Sequence, residues 1–358
     1  MTRIAAVHGV LPPHRYEQHE ITDALSAIGL AADRDGDRGR GVLDRLHDSS
    51  TVRTRQLALP LERYATLTGF GDANDRFIEV ALELGEQAVA AALDEAGLRA
   101  RDVELIVSTS VTGIAAPSIE ARLAGRLGLR PDVKRVPIFG LGCVAGAAGI
   151  ARLHDYLAGR PRGVAVLLSV ELCSLTLPRT HASAADLVAS SLFGDGAAAV
   201  VAVGRDHPSN QPDNGPFVVA TRSHLFPDTE DLLGWDIGDG GFRIVLGGEL
   251  PELVRRHLGP QVRAFLADHD LKPQEATAWV CHPGGPKILE AVREALDLPA
   301  RALELTWRSL AEVGNLSSAS VLHILRDTLA LRPPLPGSAG LMLAMGPGFC
   351  SELVLLRW

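Results

Sequence analysis

The sequence predicts an internally duplicated α/β fold whose largely parallel sheet is covered by helices. Three observations predict it. Short β-branched runs alternate with alanine-rich helical segments, and the alternation starts again after a polar, turn-rich stretch at 204–216. Each half also places a Gly-rich turn straight after a buried strand: Gly140-Leu141-Gly142-Cys143 in the first, His282-Pro283-Gly284-Gly285 in the second. The halves divide as 1–210 and 211–358. A chain of 358 residues has room for two ordinary domains or one large duplicated fold.

Residues 77–97 carry apolar side chains at helical spacing and end at Gly97, a C-cap. The run 103–108 (VELIVS) reads as a buried strand, 118–128 as a helix and 135–139 (RVPIF) as a second strand. A helix over 144–159, a strand over 164–170 and a strand over 197–203 complete the first half. In the second half, strands are expected at 217–222, 277–281, 340–345 and 351–357, and helices at 249–267, 286–296 and 316–330. Pro286 suits the first helical position, where a missing amide hydrogen costs nothing. The stretch 33–40 (DRDGDRGR) reads as a solvated loop.

Composition narrows the function. The 35 basic and 43 acidic side chains leave a formal charge of −8, and aromatic residues make up only 4%. An acidic chain repels phosphate backbones, and few rings are available to stack on bases, so nucleic-acid binding is not expected. The most apolar windows are too short for a membrane span or are broken by glycine, and the N-terminus does not read as a secretory signal. The four cysteines lie far apart with no CxxC pair, which argues against a disulfide framework and for a reducing cytoplasm.

Three positions carry candidate chemistry. Cys143 lies between a strand and a helix that opens with Val144-Ala145-Gly146-Ala147-Ala148-Gly149. There the helix N-terminus favours a thiolate, and the alternatives are a nucleophile and an inert buried cysteine. Gly140-x-Gly142-x-x-Ala145, with Glu171 ending the next strand, also satisfies a loose dinucleotide fingerprint. Against that, the Cys143 side chain would occupy the turn over which a pyrophosphate passes. His282 ends a strand of the second half and faces either a ligand crevice or merely a loop. With Cys281 it makes a poor metal pair, because adjacent strand residues face opposite ways. Asn315, in Gly314-Asn315-Leu316-Ser317-Ser318, is either a helix N-cap or a hydrogen-bond donor to an oxyanion. Cys, His and Asn at three such turns are compatible with thiol acyl transfer.

The strings Gly142-Cys143-Val144-Ala145-Gly146, Leu192-Phe193-Gly194-Asp195-Gly196-Ala197, His282-Pro283-Gly284-Gly285-Pro286, Gly314-Asn315-Leu316-Ser317-Ser318 and Gly346-Pro347-Gly348 occur in that order across most of the chain. Together they resemble the type III polyketide synthases, homodimeric relatives of chalcone synthase. The resemblance implies a duplicated thiolase-like fold layered α-β-α-β-α. It also implies an acyl-CoA starter held on Cys143, malonyl-CoA as extender, and no metal or redox cofactor. His282 and Asn315 would hydrogen-bond the thioester and enolate oxygens. Phe193 and Phe242 would be gating phenylalanines, and Cys173, Thr176, Ala189 and Ser317 would shape the cavity. Gly346-Pro347-Gly348 would be the scaffold beneath the site, and Arg45, Arg53, Arg55 and Lys287 are the candidates for the CoA phosphates.

Departures bear on the product. A lysine common in plant members is Ser49 here, and Ala116 stands where plant members place a cross-subunit methionine. Val111 stands where tetrahydroxynaphthalene-forming members place a cysteine. The stretch Trp235–Phe242 and the helix start after Cys143 look most like bacterial members that make alkylpyrones or alkylresorcinols. Small wall residues, Ala116 and Ala189, would leave room for a fatty acyl starter. Two alternatives share the Cys/His/Asn logic, an initiating β-ketoacyl carrier-protein synthase and a thiol acyl-hydrolase.

Overall fold

The structure, a computed structural model, describes residues 1–30, 36–178, 182–211 and 215–358. The strands in chain order are β1 (Thr2–Val10), β2 (His14–Glu17), β3 (Thr54–Leu57), β4 (Leu105–Thr109), β5 (Lys134–Ile138), β6 (Val164–Leu172), β7 (Asp195–Val203), β8 (Phe217–Leu225), β9 (Leu233–Gly238), β10 (Gly241–Leu246), β11 (Ala276–Cys281), β12 (Ala339–Gly346) and β13 (Cys350–Arg357). The helices are α1 (Gln18–Ala27), α2 (Gly36–Ser49), α3 (Leu61–Tyr64), α4 (Phe70–Glu95), α5 (Ile119–Leu127), α6 (Ala145–Ala158), α7 (Ala184–Leu192), α8 (Leu250–Ala267), α9 (Pro286–Ala295), α10 (Glu304–Val313) and α11 (Ser320–Leu331). Every strand and helix expected from periodicity is present. The N-terminal strand β1 and the hairpin β9–β10 were not expected. The anticipated loop at 33–40 is a helix from Gly36 onward, and 33–35 lie outside the described residues. So do 212–214 of the polar link.

Alternating burial builds the layers. Along β4, Leu105 and Val107 face one core while Ile106 faces another, and along β6 Leu167 opposes Val166 and Leu168 in the same way. The first of these cores lies between the two half-sheets and is filled by α6 (Ala147, Ile150, Leu153) and α11 (Val321, Leu322, Leu325). Helix α4 covers the outer face of the first half, and α8 and α9 cover that of the second. This is the α-β-α-β-α layering of a thiolase-like fold. The first two turns of α6 are buried on all sides, which is why they consist of alanine, glycine and isoleucine, whereas α11 is buried over Ser320–Leu325 with larger side chains.

The sheet is mixed, not largely parallel. Its nine strands run β11-β12-β13-β8-β1-β7-β6-β4-β5. Only β11–β12, β4–β5 and β4–β6 pair in parallel. A three-residue turn joins β12 to β13 and forces that pair to be antiparallel, and β7 returns beside β6 antiparallel although α7 lies between them. The halves meet where β1 and β8 share only Thr2↔Val218 and Arg3↔Phe217. No helix among the described residues is long and apolar enough to cross a membrane.

Candidate active site

Cys143 lies in a tight turn, Gly142–Val144, that leads into α6. Two glycines let neighbouring backbone close on that turn. Gly142 has φ +55, and a Cβ there would come within 2.7 Å of Pro347. A Cβ on Gly146 would come within 2.2 Å of the Ser318 carbonyl oxygen. The nucleophile candidate is thus held between the Gly346–Gly348 loop and the segment that carries Asn315. Gly146→Ala should push these apart at a cost of about 1–3 kcal/mol. Urea unfolding of the variant checks this, and an unchanged midpoint would contradict the close approach.

Ser317 joins the two segments. Its backbone is left-handed, φ +48. Its hydroxyl accepts the Cys143 thiol at 3.6 Å and donates to Glu171 Oε1 at 3.2 Å. Asn315 Oδ1 accepts the Ser317 amide hydrogen at 2.8 Å, which fixes the side-chain flip. Asn315 is thus not the helix N-cap, since the turn 317–319 starts after Leu316 and α11 after Ala319; its oxygen closes a turn before them, and Nδ2 has no hydrogen-bond partner among the described residues. The main chain of Asn315 is tied to the end of α7, donating to the Leu192 carbonyl at 2.8 Å and accepting from Gly194 N–H at 2.9 Å.

His282 follows β11, where its amide donates to Leu343 O at 2.8 Å. Gly285, at φ +123, turns the chain into α9, which starts at Pro286 as expected. The ring is 2% exposed and its Nδ1 is buried without a partner. No hydrogen bond joins it to Cys143 or Asn315. Burial lowers the His282 pKa to about 3. Burial, partly offset by the Ser317 bond, pushes the Cys143 thiol up to about 12. Cys281 is fully buried, its thiol pushed up to about 12 by burial, and the described residues hold no cluster of three or more metal-ligating side chains.

Glu171 is not a ribose ligand. It is fully buried and accepts bonds from Ser110, Val111 N–H and Thr112 as well as from Ser317 and Ser318. The dinucleotide reading fails with it. One signal had been available, a lone carboxylate within the apolar run 164–172.

One continuous cavity contains Cys143, Cys173, Thr176, Ala189, Phe193 and Ser317, together with Val111. Sequence reasoning missed its remaining walls. Leu233, Trp235 and Ile244 come from the β9–β10 hairpin, and Ile21, Ala24, Leu25 and Ile28 from one face of α1, whose i, i+3, i+4, i+7 spacing was legible. Phe242 lines an adjoining pocket that shares Thr112, Thr176, Leu177 and Pro178 with the first, and it packs on Phe70 at 5.2 Å and Trp235 at 5.7 Å. Ala116 is exposed and is not a wall of its own chain's Cys143 cavity.

The phosphate candidates sit on different elements. Arg45 and Lys287 are exposed on separate helices, and Arg53 is exposed beside Glu312. Arg55 is corrected outright. It is 2% exposed, and its Nε and Nη1 donate to Gln18 and to the carbonyls of Ser190 and Phe193, while Nη2 has no hydrogen-bond partner among the described residues.

Known proteins share this arrangement. The family model for the N-terminal domain of chalcone and stilbene synthases matches residues 2–207, and that for the C-terminal domain matches 217–358. The chain belongs to the chalcone and stilbene synthase family. It is a type III polyketide synthase, a condensing acyltransferase, which sets aside the hydrolase and the carrier-protein synthase. The synthase is 58% identical to a 1,3,6,8-tetrahydroxynaphthalene synthase of Streptomyces peucetius subsp. caesius, covering 100% of this chain and 93% of that one. It is 35% identical to a putative chalcone synthase of Bacillus subtilis, covering 88% and 89%. Its structure resembles that of the tetrahydroxynaphthalene synthase from Streptomyces coelicolor A3(2), with a TM-score of 0.91 at 29% identity and 99% of each chain covered.

Proposed function

We propose that the synthase loads a fatty acyl group from its CoA thioester onto Cys143, extends it with malonyl-CoA, and closes the product to an alkylpyrone or alkylresorcinol. His282 takes the thiol proton as Cys143 Sγ attacks the starter carbonyl, and CoA leaves as its thiol by recovering that proton. Malonyl-CoA then loses CO2, and the electron pair of the broken C–C bond passes to an enolate. The oxygen of that enolate takes hydrogen bonds from His282 and from Asn315 Nδ2, the donor without a partner. The enolate carbon attacks the Cys143 thioester, the sulfur leaves, and the lengthened chain returns to Cys143 for the next round. Phe193 and Phe242, in adjoining pockets, divide the CoA approach from the cavity.

The observation that carries the fatty starter is the apolar arm of the Cys143 cavity along α1. Ile21 is buried, while Ile28, seven residues or roughly 10 Å further along the helix, is 37% exposed. The arm therefore leads outward and offers an alkyl chain aliphatic walls. Ala24 is the smallest side chain on that face, so Ala24→Phe should block the arm. The expected result is a loss of at least about tenfold in kcat/KM for long starters, with short ones little changed. Product profiling with a ladder of acyl-CoA starters tests both statements.

A second reading is favoured by the 58% identical relative: condensation of malonyl-CoA alone to a tetrahydroxynaphthalene. A naphthalene product from malonyl-CoA without any added starter would establish it and overturn the fatty starter.

The active form is a homodimer. Edge strand β5 is exposed along its length, and Val136, Phe139 and Ile114 form an apolar patch beside it that a second copy would cover. A sedimentation mass of a single chain would contradict this.

A further inference from the structure

Arg55 is a buried cation at the wall of the Cys143 cavity, its Nη2 without a hydrogen-bond partner among the described residues, and no step of the proposed chemistry uses it. Its Nη1 donates to two carbonyls at the end of α7, Ser190 O and Phe193 O, each at 2.7 Å, while Nε donates to Gln18 Oε1 at 3.1 Å. One glycine makes room for its stem, and a second lies at ordinary contact distance from it. A Cβ on Gly194 would lie 3.6 Å from Arg55 Cγ, and one on Gly314 would lie 3.1 Å from Cδ. Gly314 also has φ +74, a conformation that favours glycine. These glycines flank the functional positions directly, since Gly194 follows Phe193 and Gly314 precedes Asn315. The two segments are paired through Asn315 N–H to Leu192 O and Gly194 N–H to Asn315 O. One guanidinium therefore braces the strip of backbone on which Asn315 is hung.

We propose that Arg55 is a positioning residue: by clamping the Ser190–Phe193 carbonyls it fixes the Asn315 backbone, and so the aim of Asn315 Nδ2 at the enolate oxygen. The inference rests on the proposed role of Asn315. It accounts for an arginine, because one planar fork reaches two carbonyls and a side-chain amide at once, and a lysine ammonium cannot hold that geometry as rigidly. Small displacements of a donor are costly in rate, so the effect falls on turnover and not on affinity.

The test is malonyl-CoA decarboxylation by full-length Arg55→Met, Arg55→Lys, Asn315→Ala and the Arg55→Met/Asn315→Ala double variant, each normalised to the fraction of Cys143 that iodoacetamide labels. For Arg55→Met, kcat should fall at least about tenfold with KM within about twofold, and Arg55→Lys should recover part of it. In the double variant the Arg55 change should add almost nothing to the Asn315 loss, because the arginine acts through the asparagine. A raised KM with unchanged kcat would overturn the inference and return Arg55 to CoA binding. Full additivity would overturn it as well. If Arg55→Met does not fold, Gln18→Met, which removes the Nε partner, gives the same reading: a lower kcat supports the clamp, and an unchanged one sinks it. An Asn315→Ala variant that decarboxylates normally would instead bring down the underlying role of Asn315.

Discussion

Cys143→Ala eliminates polyketide formation, lowering product by about 10⁴-fold or more, while malonyl-CoA still loses CO2. The separation follows from the geometry. On the proposed mechanism the sulfur holds the growing chain, whereas the enolate donors belong to other segments, after β11 and before α11. Removing the thiol deletes a hydrogen bond to Ser317 and leaves the Asn315 and His282 backbones in place. Mass spectrometry of products, beside an assay of acetyl-CoA released from malonyl-CoA, checks both halves of the prediction. Persistent polyketide in the variant would move the acyl attachment elsewhere, and loss of both activities would mean that the sulfur also serves decarboxylation.

Asn315→Ala should cost about 10²–10³-fold in decarboxylation, the range for losing one donor aimed at a developing oxyanion. His282→Gln tests a different step. Burial, with the smaller effect of the Ser317 bond, pushes the thiol up to about 12, and burial lowers the imidazole to about 3, so both groups are neutral by themselves near pH 7. On the proposed mechanism, moving the thiol proton to His282 would create two opposite charges that stabilise one another, favouring the thiolate at lower pH than either group alone would allow. Glutamine cannot accept that proton. In His282→Gln the iodoacetamide reactivity of Cys143 should therefore need a higher pH than in the parent, moving up toward the value burial imposes. An unchanged alkylation profile would remove His282 from thiol activation.

Much of the site was legible because its residues stand in strings whose local backbone is unusual. Gly142-Cys143, His282-Pro283-Gly284-Gly285 and Gly314-Asn315 each combine a positive-φ glycine with a residue of functional type, and such turns leave a clear mark in sequence. The strand and helix positions were legible for the ordinary reason of periodicity. What stayed hidden depends on long-range burial. Arg55 looks like any surface cation near Arg53, and only the packing of Gly194 and Gly314 against its stem shows that it faces inward. Glu171 looked like the end of a dinucleotide motif, because no local pattern reveals that hydroxyls from 110, 112, 317 and 318 converge on it. The predominantly antiparallel pairing was missed because strand direction depends on which end of the sheet a connection returns to, and an intervening helix does not decide that. The arm along α1 was written in its spacing, yet that spacing alone does not say whether the face meets a core or a cavity.

The most direct measurement is a peptide mass map of the parent protein after brief exposure to a long-chain acyl-CoA without malonyl-CoA. The account predicts one acyl group per chain, carried by the peptide containing Cys143 and absent after prior iodoacetamide treatment. Acylation at Cys173 or Cys350 with Cys143 free, or no adduct in a protein that nonetheless goes on to make product when malonyl-CoA is added, would contradict it.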